Sequence, residues 1–301
     1  MKKIITVIGS YNHDMVFRTT CFPEPGETVT ARKLEMFSGG KGANQAVAAA
    51  RLGGDVCFIT KVGNDAFGEN AKRKFSIDNM RTEYVLRDMK TPSGTAAILV
   101  NDEGQNCIVV NPGANDKLSP NDIDDCIEAV TEASFILMQL EIPYDTVKHV
   151  IKKADQMGKK MILNPAPTVA LEDELYSKLF LITPNQTEAA ALTGVTVENE
   201  VSASKAAAVF LEKGVQNVII TLGENGAFFK NKDQEFLVPI QEVEVMDTTG
   251  AGDIFNGALV VALAEGKSWR QAVEFANSAS SIGVSRMGAQ SSAPYRNEIS
   301  V

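Results

Sequence analysis

The sequence predicts an α/β fold of three layers, a sandwich around a mostly parallel, doubly wound sheet that also carries a small β-sheet lid. Three observations predict it. Short continuous apolar runs, "SFILMQ", "KMILN", "LFLITP" and "NVIITL", recur through residues 133–301, and such runs are buried on both faces of a parallel sheet. Amphipathic helical stretches separate them, giving the β-then-α rhythm of a doubly wound fold. Two segments, 12–40 and 92–112, break that rhythm with strand-like alternation and no helical period.

Taken in order, Ile4 to Ile8 reads as a buried first strand. Its apolar run is too short for a secretory signal, and no stretch has the length of a membrane span. Residues 12–40 then carry turn residues and alternating strand patterns, "FPEPGETVTARKLEMFSGG". The helical "KGANQAVAAARLG" follows. "SGTAAILVNDEGQNCIVV" is two strand runs joined by Asp-Glu-Gly, a hairpin signal. The two β segments are expected to pair with each other beside a substrate crevice, as a lid over it. That assigns 12–40 and 92–112 to the lid and 1–11, 41–91 and 113–301 to the body. "PYDTVKHVIKKADQMG" places Val147, Val150, Ile151, Ala154 and Met157 on one helical stripe. "SASKAAAVFLEKG" is a further helix, with Ser202 as its N-cap and Gly214 as its stop.

Composition limits the function classes. The chain has 301 residues, 44% hydrophobic and 22% charged, with a formal net charge of −9. Nucleic acid is not expected as a partner of so acidic a chain. Cys21, Cys57, Cys107 and Cys126 form no C-x-x-C pair, and only His13 and His149 could join them. Reduced thiols in a cytoplasmic protein are therefore expected, without a structural zinc site.

Five stretches carry candidate chemistry. "SGGKGANQAVAAARLGG" is neither a Walker A loop nor a dinucleotide fingerprint, since Gln45 stands where a third glycine belongs. It reads either as a glycine-rich helix entry or as a hydroxyl-recognition site using Lys41 and Asn44. "GSYNHDM" puts Asn12 and Asp14 on the same side of an extended chain at the first strand's C-terminal end, where ligands of doubly wound sheets bind. Strand-end turns favour the same residues. Asn185 and Glu188 are either a capping box or a polar pair near phosphate-bound Mg²⁺. "ITLGENGAFF", with Gly223 and Gly226, is a tight turn or a loop along a nucleotide.

"DTTGAGDIFNGA" is the most informative stretch. A helix beginning near Ala251 leaves its first amides unpaired, and Gly250 and Gly252 clear side chains from them. With the helix dipole, the result is an anion hole beside Asp253. A base, an anion cradle and a divalent metal on the nucleotide are the parts phosphoryl transfer to an alcohol requires. The bland alternative is an acid favoured by the dipole alone.

"GGKGANQAVAAARLGG" and "DTTGAGDIFNGAL" resemble the two signatures of the PfkB carbohydrate kinases. "GSYNHD", "MQLE", "NPAP", "TPNQTE" and "GAQSSAP" narrow the resemblance to that family's ribose-phosphorylating members. It runs from Gly9 to about Pro294.

The resemblance implies an α/β sandwich whose lid pairs with a second subunit's lid in a homodimer. It implies transfer of the ATP γ-phosphate to the 5-hydroxyl of D-ribose, with Asp253 as base and the Gly250–Gly252 amides as anion hole. Asn12, Asp14, Gly40, Lys41, Asn44 and Glu141 would hold the sugar. Asn185, Asn277, Gly252 and the loop from Thr221 through Gly223 to Gly226 would follow ATP, with Glu188 near Mg²⁺. A monovalent cation, K⁺, would lie at Asp247, Thr249, Gly283, Arg286, Gly288 and Ser292, several acting through carbonyls. Departures are Asn277 in place of a histidine, Tyr11 and His13 around Asn12, and a terminal helix of some relatives that is expected to be missing. A kinase for deoxyribose or another pentose, and a non-catalytic sugar-binding regulator, are the alternatives. The amide of Asn12 speaks against deoxyribose, and the retained Asp253 cradle speaks against the regulator.

Overall fold

The computed structural model describes residues 3–240 and 243–300. In chain order its strands are β1 (Ile4–Ile8), β2 (Asn12–Arg18), β3 (Lys33–Gly39), β4 (Asp55–Gly63), β5 (Val85–Asp88), β6 (Gly94–Val100), β7 (Asn106–Asn111), β8 (Phe135–Met138), β9 (Lys160–Leu163), β10 (Leu181–Ile182), β11 (Asn217–Thr221), β12 (Ala227–Asn231) and β13 (Glu235–Val238). The helices are α1 (Lys41–Arg51), α2 (Ala66–Ile77), α3 (Pro120–Asp125), α4 (Ile127–Glu132), α5 (Tyr144–Gln156), α6 (Asp173–Tyr176), α7 (Gln186–Thr193), α8 (Glu200–Glu212), α9 (Ala251–Glu265) and α10 (Trp269–Val284).

A nine-stranded sheet runs β13-β12-β11-β10-β9-β8-β1-β4-β5. It is parallel from β11 to β5, and the β12–β13 hairpin adds antiparallel strands at one edge. The period of two along the strands sorts the core into two layers. Ile5 and Val7 join α1, α2, α9 and α10 on one face, while Ile8 joins α3 to α8 on the other. The chain leaves β1 in opposite directions, toward β4 on one side and β8 on the other. That switch point opens a crevice outside the carboxyl ends of β1 and β8.

A second sheet, of four strands in the order β3-β2-β6-β7, is built from the two segments that lacked helical periodicity. Its outer pairs are antiparallel and its central β2–β6 pair is parallel. The register sets its faces. Asn12 lies opposite Gly39 and Asp14 opposite Phe37, whereas His13 faces Ser38 and Met15 faces Met36. Asn12 and Asp14 therefore share one face, and His13, Ser38 and Met36 the other.

Two local expectations are corrected. α8 starts at Glu200 with Asn199 as its cap, and Ser202 is the third helical residue of a capping box. Met157 lies just past α5 and is 37% exposed, because Gly158 turns the chain away at φ 63°.

Candidate active site

α1 and α9 lie side by side, and their approach builds the centre of the site. Gly257 makes it possible: a Cβ there would fall 2.7 Å from the Gln45 carbonyl and 2.8 Å from the Ala48 side chain. With the helices this close, two amides of α1 reach the first turn of α9. Asn44 donates to Asp253 Oδ2 and Gln45 to Asp253 Oδ1, both at 2.9 Å. Asp253 is 6% exposed. Burial pushes its carboxyl above the ordinary range, Lys41 and the two amides pull it down, and the charge of Glu141 adds to the rise.

Gln45 is itself held. It accepts from Gln139 and donates to Asn164 at 3.0 Å. Asn164 donates to the Thr183 carbonyl, Thr183 donates to Asn256, and Asn256 donates to the Gly252 carbonyl. This chain of buried amides ties β8, β9 and β10 to the start of α9.

The α9 entry turns on Gly250, at φ 76°. The Ala251 amide donates to the Thr248 carbonyl at 3.2 Å. The amides of Gly250, Gly252 and Asp253 have no acceptor among the described residues. A Cβ on Gly252 would meet nothing within 4 Å, so that position opens onto the cleft. The cleft has a volume of about 220 Å³. Lys41, Asn185, Glu188, Thr221, Gly250, Ala251, Gly252 and Asp253 line it, together with Asn164, Thr183 and Asn256.

Asn185 and Glu188 form a full capping box on α7, and Glu188 uses only Oε2 in it. Both also line the cleft, so the capping role does not remove them from it. Burial raises the Glu188 carboxyl, opposed by the Asn185 amide and Lys41 and reinforced by Asp253. Gly223 and Gly226 shape the turn between β11 and β12, just past Thr221.

Asn12, Asp14, Gly40 and Glu141 cluster at the end of β1. Asn115 clamps this turn, accepting from the Tyr11 amide and donating to the Tyr11 carbonyl and Asn12 Oδ1. The Asn12 NH₂ stays free among the described residues. Glu141 Oε2 accepts from Ser10 and from the Lys41 amide, and Gly40 caps α1. The Asp14 carboxylate has no hydrogen bond among the described residues. Burial, then the charge of Glu141, raises its pKa to about 6. Tyr11 is fully buried against Phe75, and burial pushes its hydroxyl to about 12. His13 stacks on Phe67 at 4.0 Å, away from Asn12.

Asn277 lies off the cleft. Its NH₂ is spent on the Val238 and Pro239 carbonyls, tying α10 to the end of β13. At the proposed cation positions, Asp247 joins two loops by accepting from the Thr249 and Gly288 amides at 2.9 and 2.8 Å. Burial opposes ionisation of Asp247, and these bonds hold its pKa low. No Lys or Arg pairs with it among the described residues. The Gly283 carbonyl accepts from the Arg286 amide, the Arg286 guanidinium turns to Glu298, and the Ser292 hydroxyl donates to the Ala289 carbonyl. Among the described residues no group of three or more His, Cys, Asp or Glu could hold a metal. A cation here would rest on Asp247 and backbone carbonyls, hard oxygen ligands that suit K⁺.

The sequence family described as "pfkB family carbohydrate kinase" matches residues 2–296. The ribokinase of Haemophilus influenzae is 44% identical over 298 residues, 99% of this chain and 97% of that protein. The deoxyribokinase of Salmonella typhimurium is 39% identical over 291 residues, 96% of this chain and 95% of that protein. The structure of Arabidopsis thaliana ribokinase complexed with ribose and ATP superposes with a TM-score of 0.93 at 33% identity, covering 99% of this chain and 97% of that one.

Proposed function

Because the chain belongs to the pfkB family of carbohydrate kinases, we propose that it transfers the γ-phosphoryl group of ATP to the 5-hydroxyl of D-ribose; relatives named ribokinase, one of them solved with ribose and ATP, support the reading. It is an enzyme, a phosphotransferase with an alcohol acceptor. The observation that carries the reading is Asp253, fixed between the amides of Asn44 and Gln45 beside the unpaired amides of α9.

The sugar sits against Asn12, Asp14 and Glu141, at the carboxyl ends of β1 and β8. The free Asn12 NH₂ donates to a hydroxyl, and the unpaired Asp14 carboxylate accepts from others. Asp253 takes the proton of the attacking hydroxyl as its oxygen bonds to phosphorus and the bond to ADP breaks. The amides of Gly250, Gly252 and Asp253 hold the charge spread over the transferring phosphoryl oxygens, and the dipole of α9 adds to them. Lys41 faces the same end of the cleft and offsets the charge of Asp253 and Glu188.

Glu188 Oε1 is free to hold Mg²⁺ directly or through water, and the ion when bound neutralises nucleotide phosphates. K⁺ would bind at Asp247 and the carbonyls around it. The four-stranded sheet acts as a lid and as the homodimer surface: every residue of β7 is exposed, with Ile108, Val109 and Val110 more than half so. The enzyme works in the cytoplasm. Among the described residues no helix is long and apolar enough to cross a membrane.

The deoxyribokinase relative supports a second reading, in which the acceptor lacks the 2-hydroxyl. The Asn12 amide would then be left unpaired in a buried site, which a site built for hydrogen bonding rejects strongly. The test is ADP release with ATP, Mg²⁺ and K⁺ over a panel of ribose, deoxyribose, arabinose, xylose, fructose and adenosine. Preference for ribose is expected. Preference for deoxyribose would overturn the sugar assignment. Silence across the panel, with ribose still bound in calorimetry, would favour a sugar-binding regulator.

A further inference from the structure

A second cavity, of about 250 Å³, lies along β3 at the edge of the small sheet, with Met36, Phe37 and Ser38 in its lining. Met36 and Ser38 contribute from β3, on the face opposite Asn12 and Asp14. Lys74 and Ile77 come from α2, and Gln290 and Tyr295 from the C-terminal segment. Its volume holds about eight waters, or a metabolite of about ten non-hydrogen atoms.

Its charges do not balance. Arg51 and Asp78 neutralise each other through a 2.8 Å bond, and Arg51 is further held by the Gln290 and Ala293 carbonyls and lies under the Tyr295 ring. Lys74 has no such partner. Its ammonium donates to the Ser38 hydroxyl at 2.9 Å and pairs with no carboxylate among the described residues. Burial and Arg73 together weaken its hold on its proton. One uncompensated positive charge thus faces a wall of Met36, Ile77 and the Tyr295 ring.

We propose that this cavity binds a small organic monoanion, a carboxylate on a compact apolar or aromatic body. The carboxylate pairs with Lys74 and Ser38, and the body packs on Met36, Ile77 and Tyr295. A dianion is disfavoured, because Arg51, the other cation lining the cavity, is already spent on Asp78 and the Gln290 and Ala293 carbonyls. The occupant bridges the sheet to α2. Gln290 donates to the Gly39 carbonyl at 3.4 Å, and Gly39 leads directly into the sugar-site turn at Gly40. Occupancy therefore favours the docked sheet and lowers the KM for the sugar, an effect that rests on the lid reading above.

Benzoate is the probe, titrated by calorimetry and by thermal shift, which need no turnover. Binding at Kd of about 1 mM or tighter is expected. It should weaken about 10- to 100-fold in Lys74→Met, which removes the partly buried charge partner, and recover in Lys74→Arg. Ile77→Glu tests the site independently: Ile77 is 66% exposed, so the variant should fold, and its carboxylate should repel the probe. Benzyl alcohol should bind far more weakly than benzoate. Equal binding to Lys74→Met, equal binding of benzyl alcohol, or displacement of benzoate by inorganic phosphate at matched concentration would each overturn the assignment. Binding that leaves the sugar KM unchanged would overturn the coupling alone.

Discussion

Gln45→Met separates the positioning of Asp253 from its chemistry. Methionine keeps the length and apolar stem of glutamine and removes the donor 2.9 Å from Asp253 Oδ1, leaving Asn44 as the one side-chain donor among the described residues. A hydrogen bond to an ionised group contributes about 1.5–3 kcal/mol. Its loss shifts the ionisation equilibrium of Asp253 by about 10- to 150-fold toward the protonated form. The donor stabilises the ionised carboxylate, so removing it raises a pKa that burial has already raised. A base works only when ionised, so the acid limb of kcat/KM against pH moves to higher pH. At a pH on that limb, activity falls by the same factor, and at high pH it returns toward the parent value. The assay is ADP release with ribose at subsaturating concentration across the pH range, with the melting temperature measured alongside. Stability should also fall, since Gln139 and Asn164 lose a buried partner, each at a cost of about 1–3 kcal/mol. An acid limb that superimposes on the parent's after scaling would refute the positioning role. Loss of activity that does not recover at high pH would mean that Gln45 sets geometry rather than ionisation.

Asp253→Asn should lower kcat by about 10²–10⁴-fold while calorimetry still detects ribose binding, and near-normal turnover would remove Asp253 from the role of base. Gly252→Ala should leave stability within about 0.5 kcal/mol, because its Cβ meets no protein atom within 4 Å, yet cost about 10²-fold in kcat by crowding the amide cradle. Gly257→Ala should do the reverse first, destabilising by about 1–3 kcal/mol through overlap with α1; equal melting temperatures for the two variants would refute the distinction. Asp14→Asn should stabilise the protein at pH 8 by on the order of 2–3 kcal/mol while weakening ribose binding. Its carboxyl is raised from 3.8 to about 6 in the folded state, so the stabilisation from proton uptake is full below the unfolded value and is lost as pH rises through 6; the gap between variant and parent should close as pH falls through that window. Replacing Na⁺ with K⁺ should raise activity, and Asp247→Ala should abolish the difference; no response of the parent to either ion would remove the cation site.

Much of the fold was legible because burial on both faces leaves a simple imprint. β1 was read with its observed bounds, since Ile4–Ile8 are apolar or β-branched at every position, as a strand buried on both faces requires. The pairing of the 12–40 and 92–112 segments followed from the absence of helical period, and β2 and β6 do lie side by side. Where local signals compete, the reading slipped. Asn199 and Ser202 are both good caps, and Glu200 and Val201 between them extend the helix, so the earlier residue caps and the later one completes the box. The stripe that includes Met157 is continuous in sequence, but Gly158 at φ 63° ends the helix before that side chain can turn inward.

The site divides along the same line. The placement of Asp253 at a glycine-bared helix start was legible because it is local: a helix start, glycines and an acid are visible within a few residues. Gln45, Gln139, Asn164 and Asn115 were not, since their partners lie far away in sequence, 208 positions for Gln45 and Asp253. One signal was available. "GANQAVAAA" is a helix without an exposed face, buried from Gly42 to Ala49. A run so poor in polar side chains is buried all round, and a buried amide must find partners. The sequence therefore announces that Gln45 bonds to something. It does not say to what, because that depends on which helix can approach α1 closely enough. Gly257 settles it by admitting α9 to contact, which places Asp253 opposite the amide. The residues that hold Asp253 are thus chosen by a helix contact nearly two turns from Gly250, and substitutions at that contact should change the pH profile without touching the cleft.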